Sequence, residues 1–336
     1  MKKLAGTAAK PLTSRQLAAL IGVSQSAVSR AFTPGSSIAP DLRARILSGA
    51  RNYGYQPNAI ASMLTTRRTN IVGIVVSDMQ NPFYPTLIER LTQGLQRAGL
   101  QSLLFNISPG SSVEDQLVAL RTYNVDAVVV ISATVLNAKT LAWATEGRKA
   151  VLLNRLGSDD ITSICCDNTD GARMIVDHLF AVGHRRIGYV AGLTKTAIGM
   201  LRYSAFSARL AELGMRLVGT ASSESYSYDA GWRGALDLLP QAPDAIVFAS
   251  DILALGGLDA LKRVGAAGIG ATGFDDIPMA AWPGYSLTTY RQPIAAIVER
   301  TVELLRRPDL GPAQLFTLKG ELIIRESSQV GGMAPA

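Results

Sequence analysis

From residue 70 onward the chain alternates between two kinds of segment. Short apolar runs are each followed by a longer stretch carrying an apolar stripe at helical spacing. The runs read NIVGIVV (70–76), SLLFNI (102–107), DAVVVIS (126–132), AVLLN (150–154), RIGYVAG (186–192) and AIVFAS (245–250). Consecutive rather than alternate apolar positions mark strands covered on both faces, as in a parallel sheet. The stretches between them, 83–98, 112–123, 169–182, 202–213, 228–239 and 251–264, carry amphipathic helical patterns. Such repetition defines an α/β protein with parallel sheets. Roughly ten strands over about 250 residues predict two lobes, each a doubly wound parallel sheet. Ligands of such sheets bind beyond the carboxyl ends of the strands, here in the cleft between the lobes. The polar residues that close the runs therefore merit notice: SDMQNPFY after the first, Asn154 and Arg155 after the fourth, Asp167 after the next, Ser250 and Asp251 later, and Asp275 and Asp276 in GFDD. On structural grounds alone Asp251 reads as a helix N-cap and Asp276 as a turn residue.

The first seventy residues follow a different pattern. They hold ten Lys or Arg against one acid, Asp41, a balance of +9, whereas the whole chain carries +7 and the remainder therefore −2. A segment so charged suits a polyanion, and nucleic acid is the first candidate. In LTSRQLAALIGVS, Thr13 is an N-cap and Gln16 completes a capping box, while Leu17, Leu20 and Ile21 form an apolar face. Gly22 ends this helix and Ser24 caps the next, 25–32. Two short helices joined by a tight Gly-containing turn form the helix-turn-helix pattern. On the second helix Gln25, Ser26, Ser29 and Arg30 share one arc, and Ala27, Val28, Ala31 and Phe32 the other. Ser hydroxyls and Gln amides hydrogen-bond to phosphates and base edges without repelling phosphate, and Arg30 suits a guanine or a phosphate. Thr13, Ser24, Gln25, Ser26, Ser29 and Arg30 are the candidate DNA contacts. A third helix is expected from Pro40, with Leu42, Ile46 and Ala50 closing the core, Leu47 and Tyr53 beside them, and Arg43, Arg45 and Arg51 outside. QPNAIASMLTTRRTN follows, with Asn58 as a cap for about seven helical residues, too few to hold helix unaided. Leu64, next to Arg67 and Arg68, is either an apolar wedge for a minor groove or part of a plain linker.

Other classes are disfavoured. No apolar run reaches the ~18 residues of a membrane span, and the start, MKKLAGTAAKPLTSRQL, has no apolar segment typical of a secretory signal. A cytoplasmic location is expected. The two cysteines, Cys165 and Cys166, are adjacent and read as strand residues, and with two histidines, His178 and His184, no metal site is expected. GxSxG, HExxH and P-loop patterns are absent from the sequence, so neither enzymatic activity nor a cofactor is expected.

The stretches SQSAVSRAF, LRARI and YGYQPNAIASML together resemble the DNA-binding signature of the LacI/GalR (lactose repressor) family of bacterial transcription regulators. The resemblance extends over about residues 12–327 through NIVGIVVSDMQNPFY, GHRRIGYVAG, ASDILALGGLDAL, GFDDIPMA and LTTYRQP. It implies a helix-turn-helix headpiece (1–57), a hinge helix and linker (58–69), and a two-lobed periplasmic-binding-protein-like core (70–336). It further implies three chain crossings between lobes, one lobe being 70–165 with 293–322 and the other 166–291 with 323–330. In the hinge, Asn58, Ala61 and Leu64 would contact DNA. By position the effector contacts would be Phe83, Tyr84, Asn154, Arg202, Tyr226, Ser250 and Asp275. Aromatic faces with Asp, Asn and Arg suit a sugar or polyol, the rings stacking and the polar groups forking to vicinal hydroxyls. The implied function is a homodimeric repressor of carbohydrate uptake or catabolism genes, bound to a pseudopalindromic operator and controlled by a sugar-like effector. The tail ESSQVGGMAPA has no Leu heptad, so a dimer rather than a tetramer is expected. The chain departs from the family in having Ala39 where a Ser or Thr usually caps the third helix, Ser250 where Asn is frequent, and a shortened stretch before GFDD. A transport binding protein would share the core without the basic headpiece; a sugar-modifying enzyme is the remaining alternative.

Overall fold

The computed structural model describes residues 12–33, 35–57, 68–77, 79–107, 118, 120–131, 146–156, 161–194, 196–223 and 225–329. The chain forms two compact units, Met1–Thr69 and Asn70–Ala336. The hinge positions Asn58, Ala61 and Leu64, and most of the helix expected at 112–123, lie outside the described residues.

In the first unit, α1 (Ser14–Ile21) begins with the capping box: Gln16 N–H donates to Thr13 Oγ1 at 3.3 Å, and Thr13 N–H to Gln16 Oε1 at 2.9 Å. It ends at Gly22, whose φ of 66° is the left-handed conformation that glycine adopts without a steric penalty. The Ser24 hydroxyl accepts from Ala27 N–H at 3.1 Å and starts α2 (Gln25–Phe32). In α3 (Pro40–Asn52), Pro40 opens the helix and Ala39 offers no side-chain cap. Leu17, Val28 and Ile46 meet at the centre with no exposed surface, flanked by Ala18, Ala27, Ala31 and Ala50. Thr13→Ala is expected to lower the headpiece stability by about 1 kcal/mol, the usual value of a lost cap; urea unfolding followed by circular dichroism checks this.

Two expectations need correcting here. Arg43 does not stay outside. It is half-buried, and its Nη2 donates to Thr33 O at 2.7 Å, closing the carboxyl end of α2, while the exposed Arg45 does the same for Ile21 O at the end of α1. Terminal helix carbonyls lack intrahelical partners, and a long cationic side chain satisfies them. Tyr53 does not flank the core either: it is 51% exposed. Gly54, at φ 65°, reverses the chain, and Tyr55 packs on Phe32 instead, ring centroids 5.6 Å apart.

Among the described residues, the second unit contains two six-stranded sheets. The first is built from β1 (Ile71–Val76), β2 (Gln101–Asn106), β3 (Ala127–Ile131), β4 (Lys149–Leu153), β5 (Thr162–Cys166) and β11 (Leu315–Leu318), in the order β11-β5-β4-β3-β1-β2. The second is built from β6 (Arg186–Leu193), β7 (Arg216–Ser223), β8 (Ala245–Phe248), β9 (Gly270–Asp275), β10 (Thr288–Arg291) and β12 (Glu321–Ile323), in the order β12-β10-β9-β8-β6-β7. Pairing is parallel except between β10 and β12. The central strand β3 is buried at every position, as its unbroken apolar run requires, and β5 is buried throughout although it opens with Thr162 and Ser163.

Helices α4 (Phe83–Arg97) and α9 (Ile294–Arg306) cover the first sheet; α5 (Asn168–Val182), α6 (Ala197–Glu212), α7 (Tyr228–Leu238) and α8 (Asp251–Arg263) belong to the second. On α4, Leu87, Leu91 and Leu95 point inward with no exposed surface, each contributing on the order of 2 kcal/mol of transfer free energy. The chain passes between sheets three times: after β5, after β10 and between β11 and β12.

Three local differences from the sequence reading stand out. Helix α6 begins at Ala197, not 202, because the Thr196 hydroxyl accepts from Gly199 N–H at 3.0 Å. Ser250 rather than Asp251 occupies the N-cap position of α8. The chain joins the second sheet at Glu321 rather than 323, because Glu321 pairs with Arg291 across the antiparallel ladder, and Gly320 passes so near Arg291 O that a Cβ there would lie 2.1 Å away.

Candidate functional site

In the first unit, α2 presents Gln25, Ser26, Ser29 and Arg30 outward, all exposed, while Ala27, Val28 and Ala31 are buried. The face is ordered by its own contacts. Gln25 Nε2 donates to Ser14 Oγ at 3.1 Å, Ser24 and Ser26 hydroxyls lie 3.0 Å apart, and Arg30 Nε donates to Ser26 O at 3.3 Å. Among the described residues no carboxylate pairs with Arg30, so its charge is available to an anion. The Thr13 side chain, by contrast, is engaged by Gln16.

In the second unit, a cavity of about 250 Å³ lies at the carboxyl ends of the strands, between the two sheets. Phe83, Tyr84, Asn154, Arg202, Tyr226, Ser250 and Asp275, named from different stretches of the chain, all line it. Phe83 and Tyr84 sit at the start of α4 with their rings edge to face, centroids 5.3 Å apart. Asn154 follows β4 in the left-handed region, φ 51°, and its Nδ2 donates to Tyr84 Oη at 3.1 Å. Tyr226 stands over Gly192, where a Cβ would lie 2.1 Å from the ring, so glycine is what admits the tyrosine.

Arg202, on α6, is 6% exposed. Its Nε and Nη2 both donate to Asn168 Oδ1, at 3.1 and 2.7 Å, its Nη1 donates to Ala249 O, and the guanidinium lies 3.5 Å over the Phe274 ring. A buried cation held this way is fixed in place before any ligand arrives. Asp275 closes β9 at φ 123° and accepts from Gln292 Nε2 at 2.6 Å. Its neighbour Asp276 points elsewhere, onto Arg291 and Arg325 at 2.6 and 2.7 Å. Asp251, fully buried, accepts from Ile277 N–H and Thr289 Oγ1 and so fixes the turn that follows Asp275. Burial, reinforced by the Asp275 charge, pushes its pKa up.

Among the described residues, two polar side-chain atoms at this cavity are buried without a partner: Asn154 Oδ1 and Ser250 Oγ. Buried polar atoms are ordinarily satisfied, and one left open at a cavity is ready for a ligand.

Functional residues that the sequence does not single out are Asn168 and Gln292, which hold Arg202 and Asp275 from behind, and Asn81, Leu193, Thr196 and Ile198 in the wall. Gln292 stands in LTTYRQP and Arg155, also in the wall, in the strand-end pair, so closer use of the strand-end rule reaches them; Asn168 carries no local signal. The cysteines lie on β5 as expected, both buried. Burial pushes the Cys165 thiol up to about 11 and the Cys166 thiol up to about 12, so both are neutral thiols at physiological pH. Among the described residues no group of three or more His, Cys, Asp or Glu could hold a metal ion, and no helix is long and apolar enough to cross a membrane.

Two doubly wound lobes around a ligand-sized cavity, joined in one chain to a helix-turn-helix unit, define a ligand-responsive DNA-binding regulator. Known proteins agree. A family profile for periplasmic binding protein-like domains matches residues 176–328. The HTH-type transcriptional regulator GalS of Salmonella typhimurium is 30% identical over 306 residues, 87% of this chain and 88% of that protein. A lac repressor dimer bound to operator and an anti-inducer shares the fold, with a TM-score of 0.81 at 22% identity over 95% of this chain and all of that one. The transcriptional regulator CelR, solved with cellobiose, has a TM-score of 0.70 at 26% identity, over 94% of this chain and 99% of that one. The chain belongs to the LacI/GalR family of HTH-type transcriptional regulators.

Proposed function

We propose that this regulator is a cytoplasmic homodimer that represses carbohydrate uptake or catabolism genes and is controlled by a small sugar or sugar-like effector held between its two lobes. The observation that carries this reading is the set of open polar atoms, Asn154 Oδ1 and Ser250 Oγ, beside three aromatic rings, a fixed arginine and a carboxylate in one cavity. Vicinal hydroxyls donate to the amide and carboxylate oxygens and accept from the guanidinium, while a ring face packs on Phe83 or Tyr226. At about 250 Å³ the cavity lies just below the range of roughly 300–1,000 Å³ usual for drug-sized ligands, which favours a single sugar ring. The relative solved with cellobiose supports a carbohydrate ligand. Acid–base catalysis is no part of this reading: Asp275 and Asp276 face different partners, and the relatives are regulators. No cofactor is invoked.

On DNA, the reading places one α2 in the major groove of each half of a pseudopalindromic operator, Gln25, Ser26, Ser29 and Arg30 at the bases and Thr13 and Ser24 beside the phosphates. The hinges, with Asn58, Ala61 and Leu64, meet in the minor groove between them, and Leu64 opens a base step. The effector acts by its differential affinity for the two arrangements of the lobes, with couplings of ~1–3 kcal/mol typical of such proteins.

Arg30→Ala is expected to weaken operator binding by roughly 1–3 kcal/mol and to relax preference at one base pair; an unchanged affinity in a fluorescence-anisotropy titration removes Arg30 from the recognition set. Leu64→Ala is expected to reduce DNA bending, read by gel phasing, with the melting of the core unchanged. The reading as a whole is tested by sequencing the genomic fragments that the purified protein retains at two salt concentrations, with and without added sugars. A recovered palindrome released by one sugar supports it. Salt-sensitive retention without any sequence preference overturns it.

A further inference from the structure

Tyr290 is the last residue but one of β10 and has no exposed surface. Its ring belongs to the core, but its hydroxyl does not serve the sheet. It donates to Asp170 Oδ2 in a long bond of 3.3 Å and accepts from Gly320 N–H at 2.7 Å. Asp170 lies in the first turn of α5, just past the first crossing between the lobes, and Gly320 lies in the third, between β11 and β12. Tyr290 itself leads into the second, through Gln292 and Pro293. One oxygen atom thus connects all three segments that join the lobes, although its partners are 120 and 30 residues away in sequence.

The ring is held closely on both sides: a Cβ on Gly171 would lie 2.7 Å from it, and one on Gly320 2.8 Å. The first and third crossings also meet directly, since Asp167 N–H donates to Leu318 O at 2.8 Å and Lys319 Nζ to Asp170 Oδ1 at 3.2 Å. The Lys319 side chain is 73% exposed, so that ion pair contributes little. On its other side the ring reaches the effector cavity. Tyr290 packs on Phe274 with centroids 5.0 Å apart, and the Arg202 guanidinium lies over the Phe274 ring. Phenylalanine would fill the same space, so packing does not require the hydroxyl; what it adds is the pair of bonds to the crossings.

We propose that Tyr290 is a positioning residue for the effector response: its hydroxyl binds the three crossings into a single hinge and sets that hinge against the ring beneath Arg202. The link to Arg202 rests on the effector reading above, whereas the joining of the crossings does not.

The test is amide hydrogen exchange of the full-length protein, read on peptides spanning 164–171, 288–295 and 316–323. In the parent the three segments are expected to open as one unit as urea is raised. Tyr290→Phe is expected to speed exchange in all three by roughly fivefold, the equivalent of one lost hydrogen bond, while β8 and the headpiece exchange as before and the melting temperature stays within about 4 °C. Lys319→Gln is expected to leave all three within about twofold, as an exposed ion pair allows. The hinge is overturned if the parent segments open separately, if Tyr290→Phe speeds exchange only around Gly320, or if Lys319→Gln reproduces its effect. The functional half is read by anisotropy of the recovered palindrome with and without cellobiose or glucose. The sugar-induced change in operator affinity is expected to shrink about threefold or more in Tyr290→Phe, with sugar affinity within twofold by calorimetry, as a lost coupling of this kind requires. An undiminished change overturns the link to Arg202. If neither sugar alters operator affinity in the parent, the sugar reading fails, and the exchange result still decides the hinge.

Discussion

Asp275→Asn is expected to abolish the effector response at concentrations that saturate the parent protein, while operator affinity without effector stays within twofold. The side chain is 5% exposed, stands at the end of β9 and faces the cavity. Its φ of 123° is poorly tolerated by most side chains, but asparagine accepts such backbone better than alanine does, so the substitution removes the charge with the least disturbance to the turn. A hydrogen bond to a charged group contributes about 1.5–3 kcal/mol, which corresponds to roughly 10- to 150-fold in effector affinity. The amide also cannot accept from two ligand hydroxyls while receiving Gln292 Nε2. In the proposed reading operator binding rests on α2, in the other unit of the chain, so the change is expected to leave it untouched. Anisotropy of labelled operator, titrated with effector, separates the two quantities. A normal response at normal concentration would take Asp275 out of the site.

Gly231→Ala is expected to destabilise the core by about 3 kcal/mol or more, near the upper end for overpacked interiors, and to lower its melting temperature by roughly 6 °C or more. α7 and α8 pack backbone to backbone. A Cβ on Gly231 would lie 1.8 Å from Leu253 O, and one on Gly256 would lie 1.9 Å from Tyr228 O. No rotamer relieves either contact, because both partners are main-chain atoms of a facing helix. Relief requires the helices to separate, which opens the layer over β8 where Leu253 and Ala254 are fully buried. Gly284→Ala is the control, since its Cβ meets nothing within 4 Å. Calorimetry of both variants decides the matter: equal melting temperatures would mean that α7 and α8 do not meet this closely.

The two predictions differ in what made them visible. Asp275 and Asp276 stand together at a strand end, where ligands of doubly wound sheets bind, and the family resemblance singles out Asp275 of the two. Gly231 and Gly256 lie within unremarkable helical stretches, and only the approach of a second helix gives either a role. The same division runs through the headpiece. Thr13 and Gln16 are three residues apart and make their contacts within one turn, so the start of α1 was legible. Tyr53 and Tyr55 were not distinguishable by spacing, because the choice between them depends on the reversal at Gly54 and on where Phe32 waits. Arg43 and Arg45 read as solvated charges, yet their partners are carbonyls 10 and 24 residues earlier in the chain.

What this sequence determines by itself is whatever arises from neighbours along the chain. That covers the α/β alternation, the caps and breaks of the short headpiece helices, the polar arc of α2, and the residues that end each strand, since covalent spacing alone sets these periodicities. Tertiary structure decided what depends on packing between distant segments. Asn168 came to hold Arg202, Gln292 came to hold Asp275, and β12 turned antiparallel beside β10. These contacts join positions 17 to 34 residues apart, and each exists only because close packing of helices on sheets brings the partners together.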